Sequence, residues 1–341
     1  MSKIEYKTDI FTGIRSSGRL TIGNLMGAVH PILKCIEDEK PEQKPLVFVA
    51  DLHALTDGEP KETQNEVLNV IRTYMALGLD ETKANIFIQS HIAKEVAEMS
   101  LYLSRLVTLA ELMRVPTLKE KLKSGENEAN ANLLLAMYPV MMASDILLQQ
   151  SLRIPVGEDQ TSHIEMAKYF ARKFNKKYGE TLIVPGMFTY GNSVKVKSLS
   201  GSGKKMSKTE PNGAIILDDD IEISLKKIKK AQTAFAGENS DSLEALIDIG
   251  RFVAKDDKEL EALNTIINKH FAGENVMGEF KNIVSEYVGR FLKQYQEKRD
   301  SYTDEKILEF ISKGNDIAKT NAEETLKAVR SAMGMKYTSG L

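Results

Sequence analysis

A chain of 341 residues, 42% hydrophobic and 28% charged, has an ordinary soluble composition and is long enough for two domains, each with its own core. Its 46 Lys and Arg against 48 Asp and Glu leave a formal charge of −2, which neither demands nor excludes nucleic acid, and its one cysteine, Cys35, excludes a disulfide framework or a cysteine-based zinc or iron–sulfur site. No charged-then-apolar signal opens the chain and no apolar run approaches the ~18 residues of a membrane span, so a cytoplasmic protein without membrane contact is expected.

From Asp9 apolar residues run to Ile14; Gly13, Ser16, Ser17 and Gly18 punctuate, and Ile22, Leu25, Met26 and Val29 then fall at helical spacing. The pattern is strand, loop, helix. A helix start of this kind offers N–H groups and partial positive charge to an anion, and glycines at 13, 18 and 23 let a ligand approach the backbone. A nucleotide is the natural candidate. The stretch contains no Gly-x-Gly-x-x-Gly fingerprint, and Gly13-x4-Gly18 is followed by Arg19-Leu20 rather than by Lys and Ser or Thr, so neither common nucleotide loop fits. Taken alone, it suits the first strand and helix of any α/β domain equally well.

Lys44 to Thr56 reads as a buried parallel strand whose carboxyl end carries Asp51 and His53, where open α/β sheets place their ligand crevice. By itself His53 suits a structural role better than a ligand role. A helix over Glu62–Leu77 and a strand over Ala84–Ser90 continue an alternating β/α pattern. Lys94–Met113 reads as one helix, apolar around much of its circumference, which fits either core packing or a dimer interface. From Thr117 the chain turns polar, and Lys119, Lys121 and Lys123 could close over a phosphate.

Asn132–Leu148 holds Asp145 as its only charge, a carboxylate that either caps a neighbouring helix or waits for a ligand donor. Pro139 is expected to break or kink this helix, with Tyr138, Met142 and Asp145 near the wall of a pocket. Leu152–Gln160 repeats the opening logic: an apolar strand, then Gly157, Glu158, Asp159 and Gln160, then a helix through Phe174. Gly186–Gly203 is turn-rich and leads into Lys204-Lys-Met-Ser-Lys-Thr-Glu-Pro211, whose lysines follow a glycine hinge and can reach a polyphosphate. Beyond Asp218 the pattern is helical over Ile221–Phe235, Leu243–Val253, Lys258–Asn268, Val276–Asp300 and Asp304–Met333. Lys226, Lys227, Lys229 and Lys230 on the first of these helices fit either a solvated face or an RNA backbone.

Thr21-Ile-Gly-Asn24 and Lys205-Met-Ser-Lys-Thr209 resemble the paired HIGH and KMSKS signatures of class I aminoacyl-tRNA synthetases. With Phe11-Thr-Gly-Ile-Arg-Ser-Ser-Gly18, Ala143-Ser-Asp-Ile-Leu-Leu148, Val156-Gly-Glu-Asp-Gln160 and His163-Ile-Glu, the chain is similar to the tryptophanyl-tRNA synthetase family over nearly its whole length. Tyrosyl-tRNA synthetases share the architecture and are the alternative, set apart by Phe11 in the strand before the first loop.

The resemblance implies a doubly wound, Rossmann-like α/β catalytic domain over residues 1–212, including the KMSK loop, and a helical anticodon-binding domain over 213–341 whose last helix can pack back on the first. It implies activation of tryptophan by ATP with Mg²⁺, then transfer to tRNA(Trp), in a homodimer with no protein-bound metal. Carried over by position, Lys205, Ser207 and Lys208 would stabilise departing pyrophosphate, with Lys121 assisting. Thr21, Gly23 and Asn24 would meet the adenine and phosphates alongside Arg15, Ser16, Ser17 and Met206, and Gly157 and Asp159 the ribose. Tyr138 and Gln160 would take the α-ammonium and Asp145 the indole N–H. Phe11, Met142, Ile154 and Val156 would line the indole pocket, and His53 lies in the matching Asp-x-His segment. Arg15 and Ser16 stand where many members have Gln and Pro, and Thr209 replaces the last serine of the signature. Two other readings share the loop chemistry: a related nucleotidyltransferase that charges no tRNA, against which the long helical tail argues, and a non-catalytic paralogue, against which Lys205 and Lys208 argue.

Overall fold

Strand β1 (Thr8–Ile14) lies at the centre of a five-stranded sheet of order β3-β2-β1-β4-β5, every neighbouring pair parallel. The other strands are β2 (Leu46–Val49), β3 (Asn85–Ile88), β4 (Ser151–Val156) and β5 (Gly186–Thr189), the last occupying the start of the segment expected to be turn-rich. The computed structural model describes residues 5–335 apart from 17, 40, 42, 57–59, 117, 120–131, 157–160 and 190–194.

Both faces of the sheet are covered, which is why β2 reads as an unbroken apolar run. Val47 and Val49 point into one hydrophobic core, Leu46 and Phe48 into the other. The first core is shared with α1 (Ile22–Asn24), the π turn Leu25–Val29 and α2 (His30–Glu39), which run on as one helical segment, and with α4 (Pro60–Ala76). Between β2 and α4 lies the short α3 (Asp51–Ala54). The second core holds α5 (Ala93–Ser104), α6 (Leu109–Leu112), α7 (Leu133–Leu148) and α8 (Thr161–Tyr178).

Two sequence expectations fail here. The helix expected over Lys94–Met113 is two helices, because Thr108 starts a new one: its Oγ1 accepts from Glu111 N at 3.2 Å, and the Glu111 carboxylate accepts from Thr108 N at 2.7 Å. Of the break or kink expected at Pro139, the break is absent: α7 is helical from Leu133 through Leu148 behind an Asn132 N-cap.

The C-terminal region consists of α9 (Ile221–Lys230), α10 (Asp241–Val253), α11 (Asp257–Phe271), α12 (Met277–Asp300) and α13 (Asp304–Ala332), close to the expected spans. Val284 and Leu292 of α12 share the first core with Val47 and Val49 of the sheet, so one core crosses residues 212 and 213. Helix α13 returns to lie along the edge strand β3. Its Ile307 and Ile311 enter the first core, its Ala318, Ala322, Leu326 and Val329 the second. Gly314 meets the backbone of Ile86, and Asn315 Oδ1 accepts the Ile88 N–H at 3.1 Å, so a helix covers the open sheet edge. The architecture is the doubly wound parallel α/β sheet with a helical C-terminal region expected from the sequence.

Candidate active site

The chain lays down β1, β2 and β3 outward in one direction, then returns to place β4 on the other side of β1. Open α/β sheets hold their ligand crevice at such a reversal, outside the carboxyl ends of the strands. Arg15, Ser16 and Gly18–Leu20 follow β1 at this end of the sheet. Residues 157–160, expected there from β4, lie outside the described residues, as do Ser17 and Lys121; the Val156 side chain is likewise not described.

Thr21 opens the helix as its N-cap. Its Oγ1 accepts from Asn24 N at 3.1 Å, and Asn24 Oδ1 takes both the Thr21 N–H and the Thr21 hydroxyl, each at 3.0 Å. Ile22 N–H donates to Ile215 O at 2.9 Å. Two of the first three helical N–H groups are therefore already bonded, so this helix start is less open to an anion than the sequence suggested. The Thr21↔Ile216 bridge and the Leu217 N–H to Leu20 O bond join the opening loop to the segment after the lysine motif. Arg19 extends the junction through a 2.7 Å ion pair with Asp219.

The lysine motif closes over this loop. Met206 N–H donates to Val196 O at 2.8 Å, burying the Met206 side chain against Gly23, where a Cβ would stand 3.3 Å from the Met206 Cβ. Gly18 has a positive φ of 63°, and a Cβ there would run into the ammonium of Lys208. Lys205 and Lys208 are exposed, and Ser207 Oγ lies 2.9 Å from Thr209 Oγ1. Thus Gly18, Thr21, Gly23, Asn24, Met206 and Lys208, about 190 residues apart in sequence, form one structure. Arg15 is exposed and Ser16 buried, its hydroxyl without a hydrogen-bond partner among the described residues.

On the other side of β1, Asp145 is 1% exposed near the end of α7. It caps no helix. His53 Nε2 lies 2.9 Å from Oδ2, and Gln89 Nε2 lies 2.9 Å from Oδ1 and 2.8 Å from Oδ2. Burial raises the Asp145 pKa; the hydrogen bonds from His53 and Gln89 oppose that rise. His53 stands on α3 at the end of β2 and Gln89 directly after β3, so the carboxyl ends of two neighbouring strands meet on one carboxylate of α7. Asp51 ties the same ends together, its Oδ1 accepting from Leu52 N at 3.0 Å and Ser90 N at 2.9 Å.

Gln89 was not singled out in the sequence. Its only signal there is a polar residue ending the apolar run of β3, one residue before the position at which Asp51 follows β2.

Phe11 is fully buried, stacked on Phe48 with centroids 5.0 Å apart and near Phe87 at 6.4 Å; Ile154 belongs to the same core. Tyr138 and Met142 sit in a separate small cluster with Val115 and Leu118, and the Tyr138 ring lies 5.7 Å from that of His163. Among the described residues no group of three or more His, Cys, Asp or Glu side chains comes together as a metal site. No helix among them is long and apolar enough to cross a membrane.

The family model described as "tRNA synthetases class I (W and Y)" matches residues 3–304. The tryptophan–tRNA ligase of Mycoplasma genitalium is 32% identical over 340 residues, covering 95% of this chain and 96% of the relative; that of Caldanaerobacter subterraneus subsp. tengcongensis is 32% identical over 335 residues, covering 96% and 98%. The solved tryptophanyl-tRNA synthetase of Campylobacter jejuni, complexed with ADP and tryptophan, superposes with a TM-score of 0.81 at 27% identity, covering 96% of this chain and 99% of that one. The Mycoplasma pneumoniae enzyme gives 0.77 at 29% identity, with 96% and 98% covered. With both signature segments meeting at the switch point of the sheet, the chain belongs to the class I tRNA synthetases of the tryptophan and tyrosine family and, within it, to the tryptophan–tRNA ligases.

Proposed function

We propose that this chain binds tryptophan and Mg²⁺·ATP in the crevice at the carboxyl ends of β1, β2 and β4, forms tryptophanyl-adenylate and pyrophosphate, and transfers the amino acid to tRNA(Trp). The observation that carries this reading is the closure of Met206 and Lys208 onto Gly23 and Gly18. It brings a lysine to the loop where a nucleotide's phosphates would lie. The substrate carboxylate attacks the α-phosphate in line, with no covalent enzyme intermediate. Catalysis rests on positioning and on charge stabilisation of the departing pyrophosphate.

Lys205, Ser207 and Lys208, helped by Lys121, take the pyrophosphate charge. Arg15, Ser16, Ser17, Thr21, Gly23, Asn24 and Met206 bind the adenine and phosphates, and Gly157 and Asp159 the ribose. With Asn24 Oδ1 committed to the helix cap, its contribution to a nucleotide falls to its amide nitrogen. Tyr138 and Gln160 hold the α-ammonium and Asp145 accepts the indole N–H, with Phe11, His53, Met142, Ile154 and Val156 around the ring. Mg²⁺ enters as part of the substrate, bridging phosphates and keeping its waters. Residues 213–341 contact the tRNA, and two chains act as a homodimer in the cytoplasm. Leu101 and Leu109, 67% and 68% exposed on α5 and α6, support an apolar contact between copies.

ATP–pyrophosphate exchange with each of the twenty amino acids tests the reading. Exchange with tryptophan alone is expected; exchange with tyrosine and silence with tryptophan overturns it.

A further inference from the structure

We infer that Gln89 is a positioning residue for amino-acid selection: among the described residues it and His53 occupy three of the acceptor positions of the Asp145 carboxylate and leave one, on Oδ1, for a single N–H donor on the ligand. The inference rests on the reading that Asp145 meets the side chain of the amino acid being activated.

A carboxylate offers two lone pairs on each oxygen. Among the described residues, Oδ2 receives both His53 Nε2 and Gln89 Nε2, while Oδ1 receives only Gln89 Nε2. The Gln89 nitrogen, nearly equidistant from the two oxygens, also fixes the rotation of the carboxylate about its own bond. The orientation of the amide follows from its partners. An ionised carboxylate only accepts, so the nitrogen must face it, and the amide oxygen then takes the His53 backbone N–H at 3.4 Å.

Gln89 is itself held without freedom. It is fully buried, and its backbone is pinned on both sides: Ile88 N–H donates to Asn315 Oδ1 of α13 at 3.1 Å, and Ser90 N–H to Asp51 Oδ1 at 2.9 Å. A group so placed orients its neighbour at no further entropic cost when a ligand arrives. An unanchored carboxylate could turn both oxygens to the pocket and accept a hydroxyl or water as readily as an indole N–H. The anchored one offers a single direction.

The test is ATP–pyrophosphate exchange with tryptophan and with β-(3-benzothienyl)alanine, a near-isosteric analogue carrying sulfur in place of the indole N–H. Wild-type protein is expected to prefer tryptophan. Gln89→Met, similar in shape but without donors, should lower kcat/KM for tryptophan by about tenfold and leave that for the analogue within about twofold, so the preference collapses. Gln89→Asn, which keeps an amide but withdraws it by one methylene, should collapse the preference too, and circular dichroism shows which variant is folded. A folded variant of either kind with unchanged preference, or with both substrates falling in parallel, overturns the role of Gln89. Failure of the underlying reading looks different: wild-type protein itself then shows no preference for tryptophan over the analogue, and Asp145→Asn does not alter the ratio.

Discussion

The ammonium of Lys208 occupies the space that a side chain on Gly18 would need, although 190 residues separate the two in the chain. Gly18 has no Cβ and a φ of 63°, so the first loop makes room for the second loop's charge. Lys208→Ala should lower the rate of amino-acid activation by about 10²-fold or more with tryptophan binding nearly intact, because its charge matters most as pyrophosphate departs. Gly18→Ala should lower the same rate by displacing the ammonium. Pre-steady-state adenylate formation beside equilibrium tryptophan binding checks both; a change confined to KM for tryptophan would remove Lys208 from the chemical step.

Asp145 is best tested by Asp145→Asn rather than by truncation. Truncation would leave the donors of His53 and Gln89 buried without a partner and lower stability whatever the functional role. The amide keeps the volume but weakens a charge-assisted bond worth about 1.5–3 kcal/mol, so kcat/KM for tryptophan should fall about ten- to a hundredfold while that for ATP is spared. Equal losses for tryptophan and phenylalanine activation would show that no N–H donor is being read.

Arg290 grips Glu259 at 2.5 Å and 2.7 Å, linking the start of α11 to α12. That hydrogen bond is the main reason the Glu259 pKa falls from 4.5 to about 2. The folded value lies below the unfolded one, so the stabilisation is present in full above pH 4.5 and is lost as pH falls toward 2. Arg290→Met should therefore be less stable than wild type at neutral pH, and the gap in urea-unfolding free energy should close between pH 4.5 and 2. A gap that stays constant through that window would show that the pair is not what α12 contributes.

Gly314 tests how the last helix is seated. A methyl group there would overlap the backbone of Ile86, which cannot step aside as a flexible side chain could. Gly314→Ala should lift α13 from the sheet edge and destabilise the fold by about 1–3 kcal/mol despite the better helix propensity of alanine. Urea denaturation measures it. Faster amide exchange at Ile88, whose N–H is held by Asn315, should accompany the loss; an unchanged midpoint would mean that the helix contributes little there.

The sequence by itself determined the features that are local in the chain. Strands and helices followed from apolar spacing, because β2 and β3 are buried on both faces and the C-terminal helices each bury one stripe. The two signature segments were legible because their chemistry is carried by neighbours: a threonine N-cap closing on Asn24, glycines at a loop, lysines after a hinge. The split between α5 and α6 was missed although the Thr108–Glu111 capping box is just as local, since the leucines on either side of it kept helical spacing. What only the tertiary structure decided is which distant groups share a partner. Asp145 could be recognised as a lone carboxylate in an apolar helix, but nothing along the chain shows that Gln89, 56 residues away, reaches it, because that meeting depends on β3 lying beside β2 and on α7 sharing their core. The resemblance implied that the last helix can pack back, but that it seats on β3 was open for the same reason. A helix's sequence shows which of its faces is apolar, while the sheet edge that needs covering exists only once the strands have paired.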